Sequence, residues 1–217
     1  MKLFLDTADV EQIRRYAAYG IVDGVTTNPS LVAKSGRRLE DVVAEICEIV
    51  EGPISAEVVS TEAAEMVEEG VRLAAIHPNI VVKIPMIPDG LAATHELHRR
   101  SIDVNMTLIF HPNQALLAAK AGAAFVSPFI GRLDDISQPG LAIISDIVEI
   151  FQHATFDCEV IVASARNPLH VLESARMGAD ICTVPPELVE SMMRHPLTDI
   201  GLEKFLSDYR RATSGES

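Results

Sequence analysis

The sequence predicts a single (β/α)8 TIM barrel with a C-terminal helix, and three observations lead to that fold class. Short β-rich runs alternate with amphipathic helical patterns from one end of the 217 residues to the other, and strict alternation implies parallel strands joined by right-handed crossovers. There are about eight such repeats, the number that closes a barrel, although the chain sits near the short end of that fold's size range. The first strand ends in "LDTAD", with no glycine, whereas an open doubly wound sheet usually carries a glycine-rich phosphate loop there.

The elements follow in order. "KLFLDT" (2–7) is an apolar strand cut by Asp6, and "GVTTN" (24–28) is the second strand. "LEDVVAEICEIVEG" (39–52) repeats apolar residues at helical spacing and closes on glycine. "SAEVV" (55–59) is the third strand, and the helix "TEAAEMVEEGVRLAAI" (61–76) after it turns an acidic face to solvent. "IVVKIP" (80–85) is the fourth, ended by Pro85, which lacks an N–H for the ladder. "VNMTLIF" (104–110), the helix "NQALLAAKAG" (113–122) and "FVSPFI" (125–130) come next. "EVIVAS" (159–164), the helix "PLHVLESARMG" (168–178) and "ICTV" (181–184) complete the alternation. No charge block, low-complexity tract or Pro/Gly/Ser-rich linker divides the chain, so one domain over 1–217 is expected, with a flexible tail at "TSGES" (213–217).

Composition narrows the partners. With 18 basic and 31 acidic residues the net charge is -13, a field that repels nucleic acid and anionic membranes. An anionic substrate would then need a few arginines at contact range, where remote charges are screened over about 8 Å. The apolar start Leu3-Phe4-Leu5 is too short for a signal peptide and no run is long enough to span a bilayer, so a cytoplasmic location is expected. Cys47, Cys158 and Cys182 are odd in number, scattered and flanked by apolar residues, which reads as reduced core cysteines rather than ligands.

The chemistry concentrates at strand ends, where barrels build their active sites. Asp6, Asn28, Glu57, Lys83, Asn105, Thr107, Ser127 and Ser164 all interrupt or end apolar runs. Because strand side chains alternate faces, Thr26 with Asn28, Val81 with Lys83, Asn105 with Thr107, and Ser127 with Phe129 each share a side, and Met106 points the other way. Buried charges need partners. Lys83 is either the structural half of an ion pair or a desolvated amine whose lowered pKa leaves it free to form a Schiff base with a ketone or aldehyde. Arg132 in "FIGRLDD" and Arg166 in "ASARN" supply the arginines at late loops, where barrels commonly hold phosphate. A phosphorylated carbonyl compound is the implied substrate. His95 and His98 stand one helical turn apart without a third ligand, so no metal is expected; His77, His111 and His195 precede prolines and read as caps or turns.

In combination and order, "FLDTAD", "GVTTNPSL", "AEVVS", "VVKIPM", "SPFIGRLDD", "ASARNP" and "GADICTVP" resemble the small single-barrel transaldolases, a group that includes fructose-6-phosphate aldolase. The resemblance spans essentially the whole chain. It implies that Lys83 forms the Schiff base, that Asp6, Glu57 and Thr107 serve in proton transfer, and that Asn28, Asn105, Ser127, Phe129, Arg132, Ser164 and Arg166 bind substrate. The implied reaction moves a dihydroxyacetone unit from sedoheptulose 7-phosphate to glyceraldehyde 3-phosphate, giving erythrose 4-phosphate and fructose 6-phosphate, without metal or organic cofactor. In the aldolase branch the position of Glu57 is typically Gln and that of Phe129 typically Tyr, so both residues here are of the transaldolase type. The alternatives are an aldolase releasing free dihydroxyacetone, an enzyme acting on a specialised sugar, and a barrel that binds sugar phosphate without turnover. "IGLEKFLSDYRRA" (200–212) carries Leu202, Phe205, Leu206 and Tyr209 on one stripe, which packs either on its own barrel or between subunits. The resemblance implies a homo-oligomer, a pentamer or a decamer.

Overall fold

In the computed structural model, which describes residues 1–154 and 156–214, eight parallel strands close into a barrel in which each pairs with the next and the last with the first. They are β1 (Lys2–Asp6), β2 (Gly24–Thr26), β3 (Ile54–Glu57), β4 (Ile80–Pro85), β5 (Val104–Ile109), β6 (Phe125–Pro128), β7 (Glu159–Val162) and β8 (Ile181–Val184). The helices lie outside the strands: α1 (Val10–Ala17), α2 (Pro29–Ser35), α3 (Leu39–Cys47), α4 (Ala63–Ala74), α5 (Pro88–Arg99), α6 (Pro112–Ala121), α7 (Ile130–Asp135), α8 (Gly140–His153), α9 (Pro168–Met177), α10 (Pro186–Met193) and α11 (Pro196–Ser214). The predicted barrel and its C-terminal helix are both present. Thr213 and Ser214 of the expected tail continue α11, and residues 215–217 lie outside the described residues.

Several strands are shorter than the sequence suggests, for local reasons. β2 stops at Thr26, and Asn28 instead caps α2, its Oδ1 accepting the Leu31 N–H at 2.9 Å. Pro29 follows at the first helical position, where no N–H is needed. The same cap-then-proline exit recurs at His111-Pro112 and Asn167-Pro168. β6 likewise ends before Phe129, and β7 before Ser164. β5 has a register shift between Met106 and Ile109, where Leu108 adopts φ 58°. Such a bulge re-aims the strand end. His77 and His195 hold turns through Nδ1, as their prolines predict.

Two apolar cores separate inside from outside. The larger lies between strands and helices and contains Val82, Ile84, Met106, Leu97 and Ile144; Met106 therefore does face away from the barrel interior. The smaller is formed by Phe4, Val81, Phe125, Ile161 and Ile181, which plugs the barrel's lower interior. Two residues further along those strands stand Asp6, Lys83, Ser127, Ala163 and Thr183, so alternation lifts them onto the layer above the plug. Gly24 belongs to this plug by what it lacks. A Cβ there would lie 2.6 Å from two ring atoms of Phe4 and 2.7 Å from the Pro53 carbonyl.

Gly24→Ala is therefore expected to cost about 1–3 kcal/mol through overpacking, read as a lower urea midpoint; an unchanged midpoint would show that the Phe4 ring yields freely.

Candidate active site

Strand alternation gathers polar side chains over the plug, and the arrangement begins with Lys83. It is 4% exposed. Its Nζ lies 2.8 Å from Glu57 Oε2 and donates to the Thr27 carbonyl at 3.0 Å. The β3–β4 register sets Glu57 directly opposite Lys83, and the β4–β5 register sets Asn105 on its other side. A lysine so placed is held by one carboxylate and one carbonyl at the floor of a cavity of about 270 Å³.

Of the eleven residues singled out in the sequence, eight line that cavity: Asp6, Asn28, Lys83, Ser127, Phe129, Arg132, Ser164 and Arg166. Glu57 joins them through Lys83, and Asn105 through Ser127, whose hydroxyl donates to Asn105 Oδ1 at 2.7 Å. Asn105 Nδ2 donates in turn to Ser55 Oγ at 3.0 Å. That chain fixes which way the amide points and leaves its second N–H for another acceptor. Thr107 is fully buried on the same face of β5, and its Oγ1 has no hydrogen-bond partner among the described residues. Such a hydroxyl is suited to a water or a substrate hydroxyl.

Asp6 occupies the far wall. Burial pushes its carboxyl above the usual aspartate range, and the Lys83 charge and a hydrogen bond from Thr26 oppose the shift only in part. Thr26 Oγ1 donates to Asp6 Oδ1 at 2.9 Å. The thiols of Cys158 and Cys182 are both pushed up to about 12, chiefly by burial, which makes them unreactive. Cys47 and Cys182 are buried and Cys158 half-buried, close to the expected core placement.

The mouth carries the positive charge. Arg132 stacks its guanidinium over the Phe129 ring, 4.9 Å from the centroid, and Phe110 packs against that ring at 5.9 Å. Arg166 Nη2 donates to Asp135 Oδ2 at 2.8 Å, while its backbone N–H donates to His170 Nδ1. Ser164 adopts φ 62°, a left-handed conformation, and its carbonyl accepts the Gly131 N–H. A Cβ on Gly131 would meet that carbonyl at 2.2 Å and Arg166 Nε at 2.6 Å, so the glycine lets α7 lie against the loop that presents both phosphate candidates. Sequence reasoning missed Thr26's bond to Asp6, Ser55 and Thr183. Parity was the signal for Thr26 and Ser55, which stand two residues before Asn28 and Glu57, whereas Thr183 shares its face of β8 with Ile181 of the plug and carried no such signal.

The chain's residues 3–214 match the family model described as transaldolase/fructose-6-phosphate aldolase. The chain belongs to that family. It is 60% identical over 212 residues to a probable transaldolase of Desulfatibacillum aliphaticivorans, covering 98% of this chain and 99% of that protein. It is 61% identical over 209 residues to one of Geobacter sulfurreducens (96% and 98%) and 57% identical over 211 residues to one of Aquifex aeolicus (97% of each). These likenesses run the full length of the transaldolase/aldolase barrel, so every strand end of the site is within the matched region.

The desolvated Asp6 carries a testable consequence. A carboxyl whose folded-state pKa is raised contributes stability that is fully present below its unfolded pKa, about 3.9, and lost as pH rises through the folded value. Removing the charge by Asp6→Asn should therefore stabilise the fold more in urea titrations at about pH 7.5 than at about pH 4; an equal effect at both would mean that Lys83 and Thr26 fully offset the burial.

Proposed function

We propose that this barrel is a transaldolase in which Lys83 carries the transferred unit. The observation that supports this most is the Lys83 amine itself, buried at the cavity floor with Glu57 at 2.8 Å. A sugar-phosphate binder needs the arginines at the mouth but gains nothing from a buried amine, because an ion pair in the interior rarely stabilises more than an apolar pair.

In the proposed sequence Lys83 yields its proton to Glu57 and the freed amine attacks the C2 ketone of a phosphorylated ketose. Glu57 and Thr107 hold the water that moves protons as the carbinolamine forms and dehydrates. The iminium is the electron sink, so neither a metal nor an organic cofactor enters the scheme. Asp6 then takes the proton of the C4 hydroxyl, the C3–C4 bond breaks and a shorter aldose phosphate departs. A carboxyl with a raised proton affinity is suited to this step. The three-carbon carbanion stays on Lys83, its hydroxyls bound by Asn28, Asn105 and Ser127. Arg132, Ser164 and Arg166 hold the phosphate of donor and acceptor.

Phe129 favours transfer over release. Freeing dihydroxyacetone requires protonating the carbanion, and the ring on the cavity wall has no proton to give. The substrates are thus a phosphorylated ketose and an aldose phosphate, here sedoheptulose 7-phosphate or fructose 6-phosphate with glyceraldehyde 3-phosphate or erythrose 4-phosphate. Among the described residues no helix is long and apolar enough to cross a membrane, and three free cysteines suit a reducing, cytoplasmic setting.

The second copy of the chain is the proposed protein partner. From Ser191 to Thr213 every residue is exposed except Gly201, which is half-buried. Leu202, Phe205, Leu206 and Tyr209 form an apolar stripe on α11, with Phe205 72% exposed. Helices of this kind derive most of their stability from tertiary packing, and the barrel of the same chain does not supply it. A homo-oligomer closed by α11, a pentamer or decamer, would.

Glyceraldehyde 3-phosphate release from fructose 6-phosphate should depend on erythrose 4-phosphate, with sedoheptulose 7-phosphate formed in parallel; rapid release from the donor alone would instead make the protein an aldolase. Phe129→Tyr should raise the donor-only rate, and an unchanged rate counts against the role given to the ring. Phe205→Asp with Leu206→Asp should lower the mass measured by light scattering to that of a smaller assembly; an unaltered mass would remove α11 from the interface.

A further inference from the structure

Asp6 does not stand alone on its wall of the barrel. β1 lies between β2 and β8, with Asp6 opposite Thr26 and Phe4 opposite Thr183. Thr26 is 2% exposed and Thr183 3% exposed, so their hydroxyls must be satisfied from within the site. Thr26 Oγ1 donates to Asp6 Oδ1 at 2.9 Å and lies 2.6 Å from Thr183 Oγ1.

Proton counting fixes the direction of the chain. A hydroxyl has one proton to donate. Thr26 gives its proton to Asp6, so the proton between the two threonines is that of Thr183. Each O–H in such a chain polarises the next, and in a low-dielectric site the last bond, to a charged oxygen, is the strongest. When Asp6 takes a proton on its other oxygen, Oδ1 becomes the carbonyl oxygen of the acid and still accepts from Thr26, in a weaker bond than the carboxylate's. No bond other than O–H is made or broken, and no further reactant is needed.

We propose that Thr183 is a positioning residue that acts through Thr26, ordering the hydroxyl protons so that Asp6 is held ionised and oriented to receive the proton of the substrate hydroxyl. The proposal rests on the reading of Asp6 as the base. Other charges face Asp6 too: Lys83 from β4, with Glu57 of β3 paired to it, and Arg132 and Arg166 at the mouth of the same cavity. A change at Thr183 leaves all of them in place. Valine matches threonine in shape, so Thr183→Val removes the donor without emptying the layer.

The test has two readouts, the carboxyl-carbon NMR titration of Asp6 in the unliganded protein and the pH profile of kcat/KM for donor cleavage in the presence of acceptor. In Thr183→Val the Asp6 titration and the acid limb of the profile should both move to higher pH, with activity on that limb lower by roughly three- to tenfold. Thr183→Ser should restore both. If Thr183→Val does not fold, Thr183→Ala against Thr183→Ser carries the same comparison. An Asp6 titration that overlays the wild type in the valine variant, or one that serine fails to restore, overturns the proposal. A shifted titration with an unmoved kinetic limb separates the two claims: Thr183 then sets the Asp6 carboxyl, and Asp6 is not the base.

Discussion

The buried contact between Lys83 and Glu57 is the constraint around which the rest of the site is arranged. Taking an ammonium out of water costs several kcal/mol unless a carboxylate and further acceptors replace the lost solvent. Here a carboxylate at 2.8 Å and a carbonyl at 3.0 Å do so. Glu57 ends β3, which adjoins β4, and Thr27 follows the last residue of β2, one strand beyond, so the parallel register of these three neighbouring strands delivers both partners together. The apolar plug of Phe4, Val81, Phe125, Ile161 and Ile181 sets the height of the layer. Below it the barrel is a packed core, and above it each inward position is available to chemistry.

Charge is distributed with the same economy. The chain carries a net -13, yet the mouth of the cavity presents Arg132 and Arg166. Arg132 is steadied by the Phe129 ring and Arg166 by Asp135 and, through its backbone, His170. The ion pair of Arg166 is exposed on both sides and therefore weak, which suits the phosphate-binding role proposed for that guanidinium. The interior pair of Lys83 and Glu57 is not of that kind, being largely shielded from solvent on both sides.

Much of this was legible in the sequence because barrels write their architecture locally. Alternating runs gave the eight strands and the missing glycine loop favoured the barrel over the open sheet, while polar residues in apolar runs marked the strand ends. Lys83 in "NIVVKIPM" was visible because an unpaired lysine does not belong among Ile and Val. The boundaries were less legible. Asn28, Phe129 and Ser164 continue strand-like sequence, but the proline exit, the short α7 and a left-handed backbone take them into caps and loops. Periodicity cannot report a positive φ at Ser164 or Leu108. Ser55 and Thr183 were passed over, and Thr26 was noted only for sharing a side with Asn28, because a threonine or serine in a strand is ordinary; the register reveals that each one touches a site residue or its neighbour. The stripe on α11 was legible as apolar, but its exposure was not, since sequence does not say which surface covers a helix.

The central claim is that the Lys83 amine bonds covalently to the donor. The most direct measurement is intact mass after borohydride reduction of the protein with fructose 6-phosphate, followed by peptide mapping, for wild type and Lys83→Met. The account predicts one reduced adduct, on the peptide containing Lys83, and none in the variant. An adduct that persists in Lys83→Met, or one that maps to another lysine, would contradict it.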